Sequence, residues 1–89
     1  MARARHASAQ TRAVLEVFDS APFKWRYGLA LSKQTGLKSG TLYPLLTRLA
    51  GQGFLEAAWE RSEHPGRPPR KAYRLTALGR TLARERTGD

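Results

Sequence analysis

The 89-residue chain has no cysteine, which removes two kinds of architecture at once. Neither a disulfide framework nor a thiolate metal site can be built, and that suits a reducing, cytoplasmic setting. Long apolar runs are missing as well; none approaches the roughly 20 residues that span a bilayer. Histidine is scarce. His6 falls in an Arg-rich start and His64 in a Pro-rich stretch, so both are expected to be solvated rather than catalytic. Acids are few, and their positions are informative: Glu16, Asp19, Glu56, Glu60, Glu63, Glu85 and Asp89 are the full set. Residues 20–55 contain none, yet hold Lys24, Arg26, Lys33, Lys38 and Arg48. Residues 64–84 contain none either, and hold Arg67, Arg70, Lys71, Arg74, Arg80 and Arg84.

What is present is positive charge: 16 Lys and Arg against 7 acids, a net charge of +9 and a pI near 11.1. Such an excess points to nucleic acid or an anionic membrane. Two long segments cleared of acids favour a phosphate backbone. Catalysis finds no support: there is no phosphate-binding glycine loop, no metal-ligand cluster, and no cofactor motif. Glu56 and Glu60 lie on a predicted strand, where four residues at ~3.3 Å rise set them about 13 Å apart. No enzyme activity is expected.

Residues 1–8 are basic, with neither an apolar core nor a cleavage pattern, and read as a solvated, flexible arm. A single domain over 9–89 is expected. In residues 8–19 the spacing predicts a helix with Val14, Leu15 and Phe18 on one side, broken by Pro22. Residues 25–36 read as a short second helix ending at Gly36, which takes a left-handed C-cap readily. Ser39 is the expected N-cap of a third helix, to about Gln52, with Leu42, Leu45, Leu46 and Leu49 on its buried face. After Gly53 the period changes from 3.6 to 2. Leu55, Ala57 and Trp59 alternate with Glu56, Ala58 and Glu60, as in a half-buried strand. "RSEHPGRPPR" is a loop, and "KAYRLT" a second strand with Tyr73 and Leu75 on one face. Thr76 caps a last helix over about 77–87. The fold class is therefore mainly α with a small β-hairpin, the winged helix-turn-helix arrangement, with the helix-turn-helix over about 26–52 and the wing over about 54–76.

The outer face of the third helix carries Gly40, Pro44, Thr47, Arg48 and Gly51 rather than the usual Glu and Lys. Small residues let its backbone approach another surface, and its N-terminus offers free N–H groups and partial positive charge to anions. Lys38, Ser39 and Thr41 suit phosphates there, while Thr47 and Arg48 reach base edges. Pro44, in or just after the first turn, flattens the face for a thymine methyl or a sugar. Tyr43 lies at the boundary, as core rim or phosphate donor. At the wing, Gly66-Arg67-Pro68 presents an arginine, followed by Arg70 and Lys71, and arginine suits narrow minor grooves.

"SGTLYPLLTRL" and "GRPPRKAYRLT", at this separation, resemble the PadR family of winged-helix transcriptional regulators over about residues 26–80. The resemblance implies a homodimer that binds double-stranded DNA at a palindromic operator, usually as a repressor, with the third helix in the major groove and the wing at the minor groove. By motif match, Ser39, Gly40, Thr41, Tyr43 and Pro44 begin the recognition helix, and Gly66, Arg67, Arg70 and Lys71 form the wing. Many relatives have a longer C-terminal helix that dimerises and, in some, sandwiches planar ligands. Residues 76–89 contain no aromatic residue, so no such effector pocket is expected here. Dimerisation is then assigned to Val14, Leu15 and Phe18 with Leu78 and Leu82, and location to the cytoplasm, at the nucleoid. The alternatives are a protein-interaction module, a nonspecific nucleic-acid binder, or an RNA binder, the last of which needs exposed aromatics to stack bases.

Overall fold

The computed structural model describes residues 8–61 and 63–87, so His6 and most of the basic arm lie outside the described residues. The element order is α1 (Ala9–Asp19), β1 (Arg26–Tyr27), α2 (Gly28–Thr35), α3 (Ser39–Gly51), β2 (Leu55–Glu60), β3 (Arg70–Leu75) and α4 (Ala77–Thr87). The strands make one antiparallel sheet in the order β1-β3-β2. This is the winged helix-turn-helix expected from the sequence, with one added strand.

Ser8 caps α1, its hydroxyl accepting from the Thr11 amide at 3.1 Å. Val14, Leu15 and Phe18 are then carried into the core, each at 0% exposure, with Leu31, Leu42, Leu46 and Leu75. That corrects the dimer assignment. Side chains with no accessible surface cannot face a partner, and burying them is what joins α1 to the rest of the chain. Of the five residues assigned to dimerisation, only Leu78, 56% exposed, and the partly buried Leu82 keep accessible surface.

The second helix is shorter than its sequence suggests. Arg26 and Tyr27 leave the helical path and pair with Tyr73 and Ala72 of β3. A two-residue strand has no period to recognise; it exists only because β3 offers an open edge. Arg26 is buried, and its Nη2 donates to Ser20 Oγ at 3.1 Å. Ser20 is the C-cap of α1, so the guanidinium sits at the negative end of that helix. Burial lowers its pKa from the ordinary arginine value.

Gly36 closes α2 in the left-handed region, φ 78°, and its amide donates to Ser32 O at 2.9 Å. The turn is pinned by Ser32 Oγ donating to Leu37 O at 2.6 Å. Helical dihedrals begin at Ser39, so Lys38, extended at φ −74° and ψ 156°, holds the cap position in place of the expected Ser39. The Lys38 carbonyl accepts from the Thr41 and Leu42 amides at 2.9 and 2.8 Å. Ser39, one residue inside the helix, has no side-chain capping role.

The hairpin departs further from its pattern. In β2 only Leu55 is buried; Ala57 is exposed, and Trp59 is 67% exposed. β3 buries Ala72 as well as Tyr73 and Leu75, because it is the central strand. Only the base of the hairpin packs on the helices, so strict alternation in β2 encodes a face that is half core and half open to solvent. Thr76 Oγ1 accepts from the Gly79 amide at 3.0 Å and donates to Gly53 O at 2.6 Å, tying the start of α4 to the base of the hairpin.

Candidate nucleic-acid interface

Packing Leu42, Leu45, Leu46 and Leu49 inward leaves α3 with an outward ridge of Gly40, Pro44, Thr47 and Gly51, all exposed. Pro44 is the sixth residue of the helix, past its first turn. There it removes the amide that would donate to the Gly40 carbonyl, a loss tolerated because Gly40 faces solvent. Tyr43 flanks the ridge on the α2 side. Its ring covers Gly28 so closely that a Cβ built on that glycine would lie 2.6 Å from Tyr43 Cε1. Glycine at the start of α2 is thus what lets Tyr43 fold over the helix-turn-helix. Arg48 lies on the other flank, its Nη2 3.4 Å from Thr11 Oγ1 of α1. The guanidinium leans toward α1 through a contact at the long end of hydrogen bonding.

At the wing tip the Arg67 amide donates to the His64 carbonyl at 3.2 Å, closing a four-residue turn. Pro65 sits at its second position and Gly66, at φ 86°, at its third, the residue order of a type II turn. Arg67 follows directly, exposed.

The register sorts the wing cations by face. Glu56 opposes Arg74 and Glu60 opposes Arg70, while Ala57 opposes Tyr73 and Trp59 opposes Lys71. On the outer face Arg74 donates twice to Glu56 Oε2, at 3.1 and 2.9 Å, and lies 4.4 Å from the Trp25 ring centroid. Arg70 reaches Glu60 Oε1 at 3.5 Å and stacks 3.9 Å from the Tyr27 ring centroid. The Tyr27 hydroxyl donates to the same Glu60 oxygen. That hydrogen bond, with smaller contributions from burial and from the charge of Glu60, raises the Tyr27 pKa. On the inner face Lys71 Nζ sits between two rings, 5.4 Å from Trp59 and 5.7 Å from Tyr73. Tyr73 titrates above its ordinary value because it is buried and, secondarily, because of Tyr43.

Lys38, Ser39, Gly40, Thr41, Tyr43, Pro44, Thr47, Arg48, Gly66, Arg67, Arg70 and Lys71 are therefore all exposed. They form two groups, one along α3 and one on the hairpin. Within the second group Arg70 stands apart, held on the face opposite Lys71. Among the described residues no cluster of His, Cys, Asp or Glu could hold a metal ion. No helix among them is long and apolar enough to cross a membrane.

The sequence profile described as "Transcriptional regulator PadR-like family" matches residues 14–85. The chain belongs to the PadR family. Among solved structures, a PadR family transcriptional regulator from Eggerthella lenta is 33% identical, with a TM-score of 0.69, covering 85% of this chain and 70% of that one. A PadR-like transcription factor from Bacteroides fragilis is 30% identical at a TM-score of 0.68, over 84% and 73% of the two chains. A PadR family regulator from Clostridium difficile, at 23% identity and a TM-score of 0.71, shares the fold over 85% and 80%. No curated protein matches the sequence. This PadR-family chain accordingly has the DNA-binding fold of a transcription regulator, and its family is one of regulators rather than enzymes.

Proposed function

We propose that this PadR-family protein is a sequence-specific repressor that binds a palindromic operator as a homodimer in the cytoplasm. The supporting observation is the exposed, acid-free ridge of α3, which has small residues where a solvated helix would carry charge. Such a ridge fits a major groove closely, with Thr47 and Arg48 reading base edges and Lys38, Ser39, Thr41 and Tyr43 on phosphates. Arg67, Lys71 and Arg70 in the wing supply the minor-groove and backbone contacts, Arg70 after release from Glu60. Dimerisation falls to the surface of α4 around Leu78 and Leu82, and no small-molecule effector is invoked.

Fluorescence anisotropy against the DNA upstream of its own gene, beside a scrambled duplex, tests the reading. A preference of about 10³ or more at ~0.15 M salt is expected, with half-sites near 10 bp apart by footprinting. Equal and salt-fragile binding to both duplexes would leave a nonspecific binder, and no binding would leave a protein-interaction module. Arg48→Ala is expected to cost roughly 1–3 kcal/mol and relax base preference. Equal losses on cognate and scrambled DNA would remove Arg48 from base reading.

A further inference from the structure

Trp59 is the most conspicuous side chain that the DNA reading leaves unused. It is 67% exposed, on a strand whose pattern would hide it. Its neighbours distinguish it from an ordinary surface aromatic. Leu55, Ala57 and Trp59 share one face of β2, and their partners Leu75, Tyr73 and Lys71 share the same face of β3. Leu55, Tyr73 and Leu75 belong to the core that α3 completes, so the face that begins against α3 runs outward to Trp59. Lys71 and Trp59 thus extend this face outward onto the wing, beyond the buried Tyr73.

The charge on the two faces of the hairpin is opposite in character. Both acids of β2, Glu56 and Glu60, are on the other face, where Arg74 and Arg70 meet them. Neither strand contributes an acid to the Trp59 face. Its cation, Lys71, is held between two rings, and the carboxylates nearest in the sheet are taken by the arginines of the opposite face. An amphipathic ring with one N–H donor beside an oriented ammonium suits a sugar next to a phosphate.

The geometry points to Trp59 and Lys71 as a backbone-binding pair on the inner face of the wing. The indole covers a deoxyribose, and its N–H and the Lys71 ammonium take the adjoining phosphate of the same duplex that α3 reads. This assignment rests on the DNA-binding reading above and adds a surface to it. It also divides the wing: the inner face holds the backbone, while Arg67 at the tip enters the groove.

The test uses the full chain carrying Trp25→Phe, in which Trp59 is the sole tryptophan and the ring beneath Arg74 is kept. Acrylamide quenching of Trp59 is measured free and with a saturating fluorescein-labelled duplex from upstream of its own gene, with labelled-DNA anisotropy followed in parallel. A clear loss of quenching in the complex is expected. Trp59→Ala should weaken binding by about tenfold with its salt dependence unchanged, whereas Lys71→Ala should reduce the salt slope by about 1. Both positions are exposed, so far-UV circular dichroism of the variants should match the parent. Complex formation with Trp59 quenching unchanged would overturn this inference and leave the DNA reading intact. Absence of any complex, with this duplex or with random-sequence DNA at low salt, would overturn both.

Discussion

The recognition helix and the wing prepare a surface for DNA in opposite ways. The ridge of α3 is almost without charge; it offers Gly40, Pro44, Thr47 and Gly51, and its asset is how closely a backbone can approach. The hairpin is dense with charge, yet its sheet register has already committed much of it. Arg70 is matched to Glu60 and stacked on Tyr27, and Arg74 is matched to Glu56 and stacked on Trp25. Counting cations along the sequence therefore overstates what the wing can give and misses what the helix gives by steric means. Lys71 escapes that commitment because the register sets it on the face away from β2's acids, and Arg67 because it lies exposed at the tip, outside the paired strands.

The contrast can be broken most severely at the ridge. Thr47→Glu puts a carboxylate where no acid stands, and like-charge contact should cost about 3 kcal/mol or more, over a hundredfold in DNA affinity. Thermal unfolding should hardly change, since Thr47 is exposed; retained affinity would show that the ridge is not the contact. Pro44→Ala separates stability from function at one position. Restoring the amide to the helix interior should raise stability by roughly 1–3 kcal/mol while DNA affinity falls. Chemical denaturation beside anisotropy reads both, and lower stability would mean that the proline ring makes packing that outweighs the lost hydrogen bond.

Arg67→Ala addresses the wing tip. A cation that acts through the DNA backbone and groove potential should cost about 1 kcal/mol on every sequence and lower the salt slope by about 1. A sequence-dependent loss would instead make Arg67 a base reader.

The smallest expected effect concerns the outer face. Glu60→Gln frees Arg70 from an exposed ion pair, and such pairs contribute about 1 kcal/mol at most, so affinity should rise only a few-fold. The same change carries a titration signature. The Tyr27 pKa is raised in the folded chain, so the stability from its protonated phenol is complete below the ordinary value near 10.0 and is lost as pH rises through the raised value. Phenolate absorbance should therefore appear later in the folded parent than in Glu60→Gln, where the carboxylate acceptor is gone. Identical titrations would show that Glu60 does not hold Tyr27 in solution.

How far the sequence could be read depends on whether a feature is local. Helix α3 is fixed by four leucines and its flanking residues, so its existence, its buried face and its outward ridge follow from spacing alone. The Gly36 cap and the Pro-Gly turn before Arg67 are equally local, because each depends on the backbone preference of one residue. The family motifs, in α3 and at the wing, were legible for the same reason.

Tertiary structure decided the features that need a partner from far along the chain. Strand β1 exists only against β3, and Arg26 and Tyr27 carry no periodic sign of it. Alternation in β2 assigns Leu55, Ala57 and Trp59 to one face, but the extent of the helical body decides that Leu55 is covered and Trp59 is not. Val14, Leu15 and Phe18 form an apolar stripe that suits either a core or a partner; packing within the chain places them in the core. Whether a wing cation is engaged or available is decided by its cross-strand neighbour, since alternation separates Arg70 from Lys71 though they are adjacent in sequence. Local backbone preference thus specified the elements, and long-range pairing specified which of their faces remain open.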